Sequence, residues 1–403
     1  MPELKGIDYL RRKLDGKRTR VDLRYKHYEM KAALDIGATI IPTQFINLKT
    51  VLGWCAKSVD TLADRLLFDS FDDDNFYLGE IFDLNNRDIL CDSMILSALI
   101  SSCSFVYIAK DENGYPRLQV IDGGNATGRL DTTTNLLYEG YAVIERDETG
   151  VPLTEGYFLP GETQFYRRGK LYEVFTYSCP HPLLVPVIYR QDARRPFGHS
   201  RISRSNMSMM MYAARVLWRS EVSAEFYSFP QKYVLGMDPD AEWNKKLATI
   251  SSFLKIDKDD DGEHPVVGQF QQQSMLPYTE QLKMIASVFA GENGLTLDDL
   301  GFSTANPTTK EAIEAAHENL RVTALKAQRS FGSAILNIGY LAACVRDKHE
   351  YDRQQFYETK PSWLPIFSPS LSDLGALGDA VGKMQQAFPD YFDERKLHRL
   401  TGL

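Results

Sequence analysis

Apolar residues recur every three or four positions through Ile313, Ala316, Leu320, Ala324, Ala327, Phe331, Ile335, Ile338, Ala342 and Val345, the period of a helix and never of a strand. At 1.5 Å per residue this predicts one very long helix of roughly 50 Å. Its start is marked by Asn306-Pro307-Thr308-Thr309-Lys310-Glu311-Ala312-Ile313, where a proline stop and a Thr308…Glu311 capping box coincide. Asn306 and Thr308 are assigned to capping alone. Immediately upstream, residues 291–306 carry Gly291, Gly294, Glu292, Asp298 and Asp299, a composition that predicts a mobile loop held between two helices.

The same reading places other elements along the chain. Leu48, Val51, Leu52, Cys55, Val59, Leu62, Ala63 and Leu66 repeat at helical spacing and predict a core helix over 48–66. Asp72-Asp73-Asp74 then precedes two helix candidates, 75–84 and 86–100, and reads as helix-start chemistry. Segments 105–110 and 115–121 flank Asn113-Gly114, a turn dipeptide that tolerates positive φ twice, and predict a hairpin. Short strands at 138–147, 155–159, 164–167 and 170–177, with turns at Thr149-Gly150 and Arg168-Gly169, continue an antiparallel meander. Pro180, Pro182, Pro186 and Pro196 predict an irregular exit into a long helix from Ser200, read as its N-cap, to about Ser228. A compact interlude follows, with strands at 232–235 and 266–270 around a helix at 241–253, and Pro277 opens a helix ending at Phe289. Trp363–Phe367 reads as a strand, and 372–403 as a small helical end broken at Gly378, Gly382 and Pro389. The fold class is α+β.

Composition narrows the functional classes. The 403 residues carry a net charge of −8, with 43% hydrophobic and 25% charged residues, as an ordinary soluble protein does. That charge argues against wrapping nucleic acid tightly, although it permits a channel through which DNA slides. Within residues 1–32, Arg11, Arg12, Lys13, Lys17, Arg18, Arg20, Arg24 and Lys26 form a basic cluster, read as a solvated or intersubunit arm or as a direct DNA contact. The five cysteines are widely spaced with no C-x-x-C pair, so reduced thiols and an intracellular chain are expected. The most apolar run, 94–109, contains serines and falls short of the ~20 residues of a membrane span, and reads as a buried helix running into a strand.

Catalytic and metal motifs are sparse. Asp257, Asp259, Asp261 and Gly262 fit the first half of a calcium-binding EF-hand loop, but position nine is Pro265 and position twelve Gly268 where a bidentate Glu is required. The segment reads as an acidic turn with Asp257, Asp259 and Asp261 as weak metal candidates. No P-loop is present, and Gly198-His199-Ser200 lacks the glycine two residues after the serine that a nucleophile elbow requires. The seven histidines show no metal-ligand spacing. The chain reads as a non-enzyme without cofactors.

Taken in order, Val185-Pro186-Val187-Ile188-Tyr189, Phe197-Gly198-His199-Ser200-Arg201-Ile202, the interlude and Asn306-Pro307-Thr308-Thr309-Lys310-Glu311-Ala312-Ile313 resemble the portal (head-to-tail connector) proteins of tailed bacteriophages. The resemblance implies a ring, typically dodecameric, at one capsid vertex of the virion, assembled in the bacterial host cytoplasm without a membrane. Through it the terminase large subunit drives double-stranded DNA, and head-tail adaptors, the major capsid protein and scaffolding proteins are the implied partners. Carried onto this chain, 1–199 and 307–367 resemble the wing, 200–228 and 277–291 the stem helices, 229–276 the clip, 292–306 the tunnel loop and 368–403 a short crown. Glu292, Asn293, Asp298 and Asp299 become candidates for the channel, and Lys232, Lys245 and Lys246 for clip contacts, against the alternative that they are simply solvated. Two other classes compete: a metal-dependent nucleic-acid enzyme using Asp257, Asp259 and Asp261, and a non-portal capsid structural or scaffolding subunit.

Overall fold

The computed structural model describes residues 3–34, 50–228, 232–235, 266–269, 274–302, 310–367, 369, 371–388, 397 and 401. Helices α1 (Ile7–Tyr28) and α2 (Trp54–Ala63) precede strand β1 (Phe68–Asp72), α3 (Leu78–Asp83) and α4 (Arg87–Ser101). Next come β2 (Cys103–Lys110), β3 (Pro116–Ile121), β4 (Ala126–Leu130), β5 (Leu137–Arg146), β6 (Pro152–Leu159), β7 (Glu162–Arg167), β8 (Lys170–Thr176) and β9 (Leu184–Ile188). The chain continues through α5 (Arg204–Ser228), β10 (Lys232–Leu235), β11 (Val266–Gln269), α6 (Leu276–Asn293), α7 (Lys310–Ala316), α8 (Glu318–Asp347), β12 (Lys360–Trp363) and α9 (Leu371–Ala387). It is an α+β fold. Two compact units divide it: Met1–Ala32, Gly53–Met207 and Ala290–Leu403 form one, and Ala33–Leu52 and Ser208–Phe289 the other.

In the first unit a three-stranded sheet has the order β3-β2-β9 and a five-stranded sheet runs β4-β5-β6-β7-β8, all antiparallel. Cys103 and Phe105 of β2, Ala126 of β4, Leu137 and Ala142 of β5, Phe158 of β6 and Leu184 and Ile188 of β9 bury a common core. The predicted irregular exit is therefore partly a strand. Pro186 is tolerated because β9 is an outer strand, where a missing N–H breaks no second ladder. The Asn113-Gly114 hairpin also differs from expectation: only Gly114 has positive φ (84°), and the Asp111 carbonyl and carboxylate accept the N–H groups of Gly114, Asn113 and Tyr115. The tight turn with two positive φ values is Arg168-Gly169, at 48° and 76°.

Helix α8 fills the middle of this unit. From Phe331 to Val345 all but Ser333 are buried, because the helix packs on β9, β2, β12 and α3 and has no solvent face there. The single long helix expected from 307 is interrupted at His317, whose φ and ψ of −99° and 11° separate α7 from α8. Asn306 and Thr308, the expected capping residues, lie outside the described residues. Strand β12 ends at Trp363 instead of beginning there, since Pro365 offers no N–H to extend its pairing with β1. Helix α2 starts at Trp54, after Gly53, and Leu48, where the expected helix began, lies outside the described residues. Of the three aspartates, Asp72 belongs to β1, while Asp74 accepts the N–H groups of Leu78 and Gly79 at 2.7 and 2.8 Å and so starts α3. Helix α9 runs through Gly378 and Gly382, which were expected to break it.

The basic N-terminal segment is a docked helix, not a solvated arm. Leu10 and Leu14 of α1 pack on Tyr141, Val143 and Tyr157 of β5 and β6. Arg11 pairs with buried Glu155 at 2.8 Å. Glu139 accepts the backbone N–H groups of Lys5 and Gly6 and the Tyr157 hydroxyl. Lys13 donates to the Gly128 carbonyl at 2.6 Å and lies over the Phe197 ring, beside Lys17 over Phe105 and Phe197. Burial pulls Lys13 down to about 8 and lowers Lys17 as well. Arg12, Arg20 and Lys26 stay exposed.

The second unit contains the α5 and α6 segments and a hairpin. Gln281 donates to the Tyr212 hydroxyl at 2.8 Å and the Ser223 and Tyr278 hydroxyls meet at 2.8 Å, joining the two helices. Ala213, Val216, Trp218 and Val222 of α5 and Ile285, Ala286 and Phe289 of α6 are buried. β10 and β11 pair antiparallel with Lys232 opposite Gln269. No helix among the described residues is long and apolar enough to cross a membrane.

Candidate functional site

Three segments of the first unit meet where α5 begins and α6 ends. The turn before α5 requires Gly198, whose φ is +70° and whose Cβ, if present, would lie 2.1 Å from the Tyr189 carbonyl oxygen. Ser200 does not cap the helix: its hydroxyl donates to the Ile100 carbonyl at 2.5 Å and accepts the Ile202 N–H. It is thereby committed to backbone and turned away from any nucleophilic role. Ser203 is the cap, accepting the Asn206 N–H at 3.0 Å. Beside it, His199 Nε2 lies 2.5 Å from Asp192, a contact that, with the Arg195 N–H, holds the Asp192 carboxyl below its usual range.

A buried polar node ties these segments together. Asn206 and Asn293, 2% and 4% exposed, exchange side-chain amide hydrogen bonds of 2.7 and 3.3 Å, and Asn206 also donates to the Arg201 carbonyl. Arg201, 7% exposed, donates Nε–H to the Ser58 carbonyl of α2 and Nη2–H to the Asn293 carbonyl. The latter is a C-terminal carbonyl of α6, where a cation complements the helix dipole. Burial lowers the Arg201 pKa. Next to the node, Ser205 donates to Glu292 at 3.0 Å.

The segment after α6 is more structured than its composition suggested. Leu295 N–H bonds to the Ala290 carbonyl and Gly294 N–H to that of Gly291, with Gly294 at φ +64°: a Schellman end. Gly291 is helical, so the expected loop starts three residues too early. Asp298 opens a 3-10 turn, and Asp299 accepts the Thr296 N–H and hydroxyl at 2.8 and 2.9 Å and meets His317 at 3.3 Å. Thus Glu292 lies on the last turn of α6, Asn293 is inside the node, and Asp299 is anchored. Residues 303–309 lie outside the described residues.

Of the expected clip residues, Lys232 is placed by its backbone in β10. Lys245, Lys246, Asp257, Asp259 and Asp261 lie outside the described residues. Among those described, no three His, Cys, Asp or Glu side chains are grouped to hold a metal ion. Sequence reasoning missed Arg201 and Asn206, since nothing in the local pattern announces partners about 90 residues away.

No protein-family model matches the chain. Over 324 residues it is 26% identical to the portal protein of Mycobacterium phage L5, a match covering 74% of this chain and 65% of the relative. The portal protein of Mycobacterium phage D29 is 25% identical over 335 residues, covering 76% and 68%. The chain is similar to phage portal proteins. It spans just under two thirds of the length of the first of these portal proteins. Among solved structures, chains from the neck of a native gene transfer agent particle and from its virion share 13% identity with it. They cover 87% of this chain and 89% of their own, with TM-scores of 0.48 and 0.41. Likeness of that degree carries no assignment beside the portal similarity.

Proposed function

We propose that this chain is a phage portal subunit, closing into a ring at one capsid vertex through which double-stranded DNA is packaged and ejected. The observation that supports this reading best is the similarity to two portal proteins over about three quarters of the chain. Under it, 200–228 and 277–291 are stem helices, 229–276 the clip toward terminase and adaptor, and 292–306 the tunnel loop, with wing and crown outside them. Glu292, Asp298 and Asp299 are proposed for channel-facing charge, and Lys232, Lys245 and Lys246 for clip contacts. Asn293 is better assigned to holding the base of the loop, because its amide is engaged with Asn206.

The mechanical logic runs from the node outward. A loop that bears on moving DNA must yield while its supports stay in place. The Arg201–Asn206–Asn293 hydrogen bonds fasten the end of α6 to the start of α5 and to α2, so the segment beyond Gly294 moves against a fixed base. Acidic residues near that loop repel phosphate and keep DNA from adhering to the wall. Native mass spectrometry of the purified chain tests the proposal: a single closed stoichiometry is expected, whereas a monomer at all concentrations or polydisperse shells would remove the portal reading.

A further inference from the structure

Away from the node, the first unit buries two thiols against each other. Cys179 lies in the link between β8 and β9, 5% exposed, and Cys344 lies fully buried on the last turn of α8. Both are free cysteines. The Cys179 thiol donates a hydrogen bond to the Cys344 sulfur, which also accepts the backbone N–H of Tyr351. That shared hydrogen bond raises the Cys179 pKa and lowers that of Cys344, so one member holds the proton and the other is inclined to thiolate. Cys55 and Cys91 differ: burial pushes each up to about 12 and leaves them inert. The fold holds the pair from both sides. Two residues before Cys179, the Tyr177 hydroxyl donates to the Leu159 carbonyl at 2.6 Å and accepts the Leu183 N–H at 3.3 Å. The Cys344 carbonyl accepts the N–H groups of Lys348 and His349. Ser178, His349 and Glu350 are exposed, so the pair sits just beneath the surface.

We propose that Cys179 and Cys344 are a site of reversible intramolecular disulfide formation, which ties the β8–β9 link to the end of α8 when the chain meets hydrogen peroxide. The Cys344 sulfur attacks the peroxide, the O–O bond breaks, one oxygen stays as a sulfenic acid, and the other leaves as water with the thiol proton. The Cys179 sulfur then displaces the sulfenic hydroxyl, which departs with the Cys179 proton as a second water while the S–S bond forms. The two sulfurs together supply the two electrons that reduce the peroxide. Closure brings the sulfurs from hydrogen-bond contact to about 2.05 Å, a shift within reach of the irregular link that carries Cys179. The bond closes a loop of about 165 residues, and long loops gain most from a cross-link. It stays open in a reducing cytosol and closes in an oxidising medium. This inference stands on the two thiols alone and requires neither a ring nor DNA.

The test is a thiol count on the folded full chain after treatment with hydrogen peroxide. Remaining thiols are alkylated in denaturant, and the digested chain is read by mass spectrometry. Three of the five cysteines are expected to alkylate, with one peptide pair joining Cys179 to Cys344, and dithiothreitol should restore all five. Because the count is read on the unsubstituted chain, it does not depend on any variant folding. The oxidised chain should melt about 5 °C above the reduced one. Cys179→Ala should abolish both the cross-link and the rise, whereas Cys91→Ala should keep both. The proposal is overturned if five cysteines still alkylate after peroxide, which makes the pair mere packing, or if either is oxidised to sulfinic acid without a cross-link. Linkage to Cys55, Cys91 or Cys103, or a bond between chains instead of within one, overturns it equally.

Discussion

Breaking the Asn206–Asn293 pair is the sharpest perturbation of the site. Asn206→Ala removes a donor to the Asn293 amide oxygen and to the Arg201 carbonyl, together with the acceptor for Ser203 and Asn293. Each net hydrogen bond is worth about 1 kcal/mol, and each buried polar group left unpaired costs about 1–3 kcal/mol more. Water reaching the emptied space recovers part of that, so a loss of about 2–4 kcal/mol is expected. Asn293→Ala should lose a similar amount, and the double variant less than the sum, with a coupling of about 1–2 kcal/mol because the singles share one reciprocal pair. Denaturant midpoints give the three differences, and hydrogen exchange read at 294–302 gives the local one. Exchange there should accelerate in every variant, since Leu295 and Gly294 hang from the last turn of α6. Coupling under about 0.5 kcal/mol, or unchanged exchange at 294–302, would refute the claim that this node fixes the base of the segment.

Three further outcomes follow from particular residues. Gly198→Ala should destabilise by at least about 2 kcal/mol in a thermal melt, because alanine must adopt positive φ and meet the Tyr189 carbonyl. Phe331→Ala should cost about 3–5 kcal/mol, as its ring is fully buried between α8 and the stacked Tyr189. Stability should fall above pH 9: Cys55 and Cys91, pushed up to about 12 by burial, keep their protons in the folded state while the unfolded chain gives them up from about 9. Their contribution is complete below 9 and is lost toward 12 at about 1.4 kcal/mol per pH unit for each. Lys13, held at about 8, has the opposite sign between 8 and 10.5 and, being partly exposed, offsets less than one cysteine. Lys13→Met should therefore steepen the alkaline fall in the urea midpoint, and a flat or rising midpoint between pH 9 and 11 would contradict these assignments.

What could be read from the chain alone was whatever is local and periodic. The α8 stripe and the Arg168-Gly169 hairpin are written in spacings of three, four and two, and the structure has both. Features whose cause lies far away in sequence were not readable. β1 and β12 pair across nearly 300 residues, so neither segment signals the other. Pro186 looks like a strand breaker until β9 is seen to be an outer strand. The basic α1 looked like an arm because its charges cluster, yet Arg11, Lys13 and Lys17 are committed to a carboxylate, a carbonyl and aromatic faces of the sheets. Two glycines close together hid the end of α6, and only the positive φ of Gly294 distinguishes it from helical Gly291. The Glu292, Asp298 and Asp299 assignments rested on their place in the segment that resembles a tunnel loop, and a resemblance cannot reveal that Asp299 is already held by Thr296 and His317.

The central claim is that copies of this chain enclose a DNA channel, and single-particle electron microscopy of the purified protein tests it most directly. A closed ring is predicted, with an axial opening wide enough for a B-form duplex and the 292–306 segment at its wall. Particles without an axial opening, or a ring whose 292–306 segment lies on the outer surface, would contradict it.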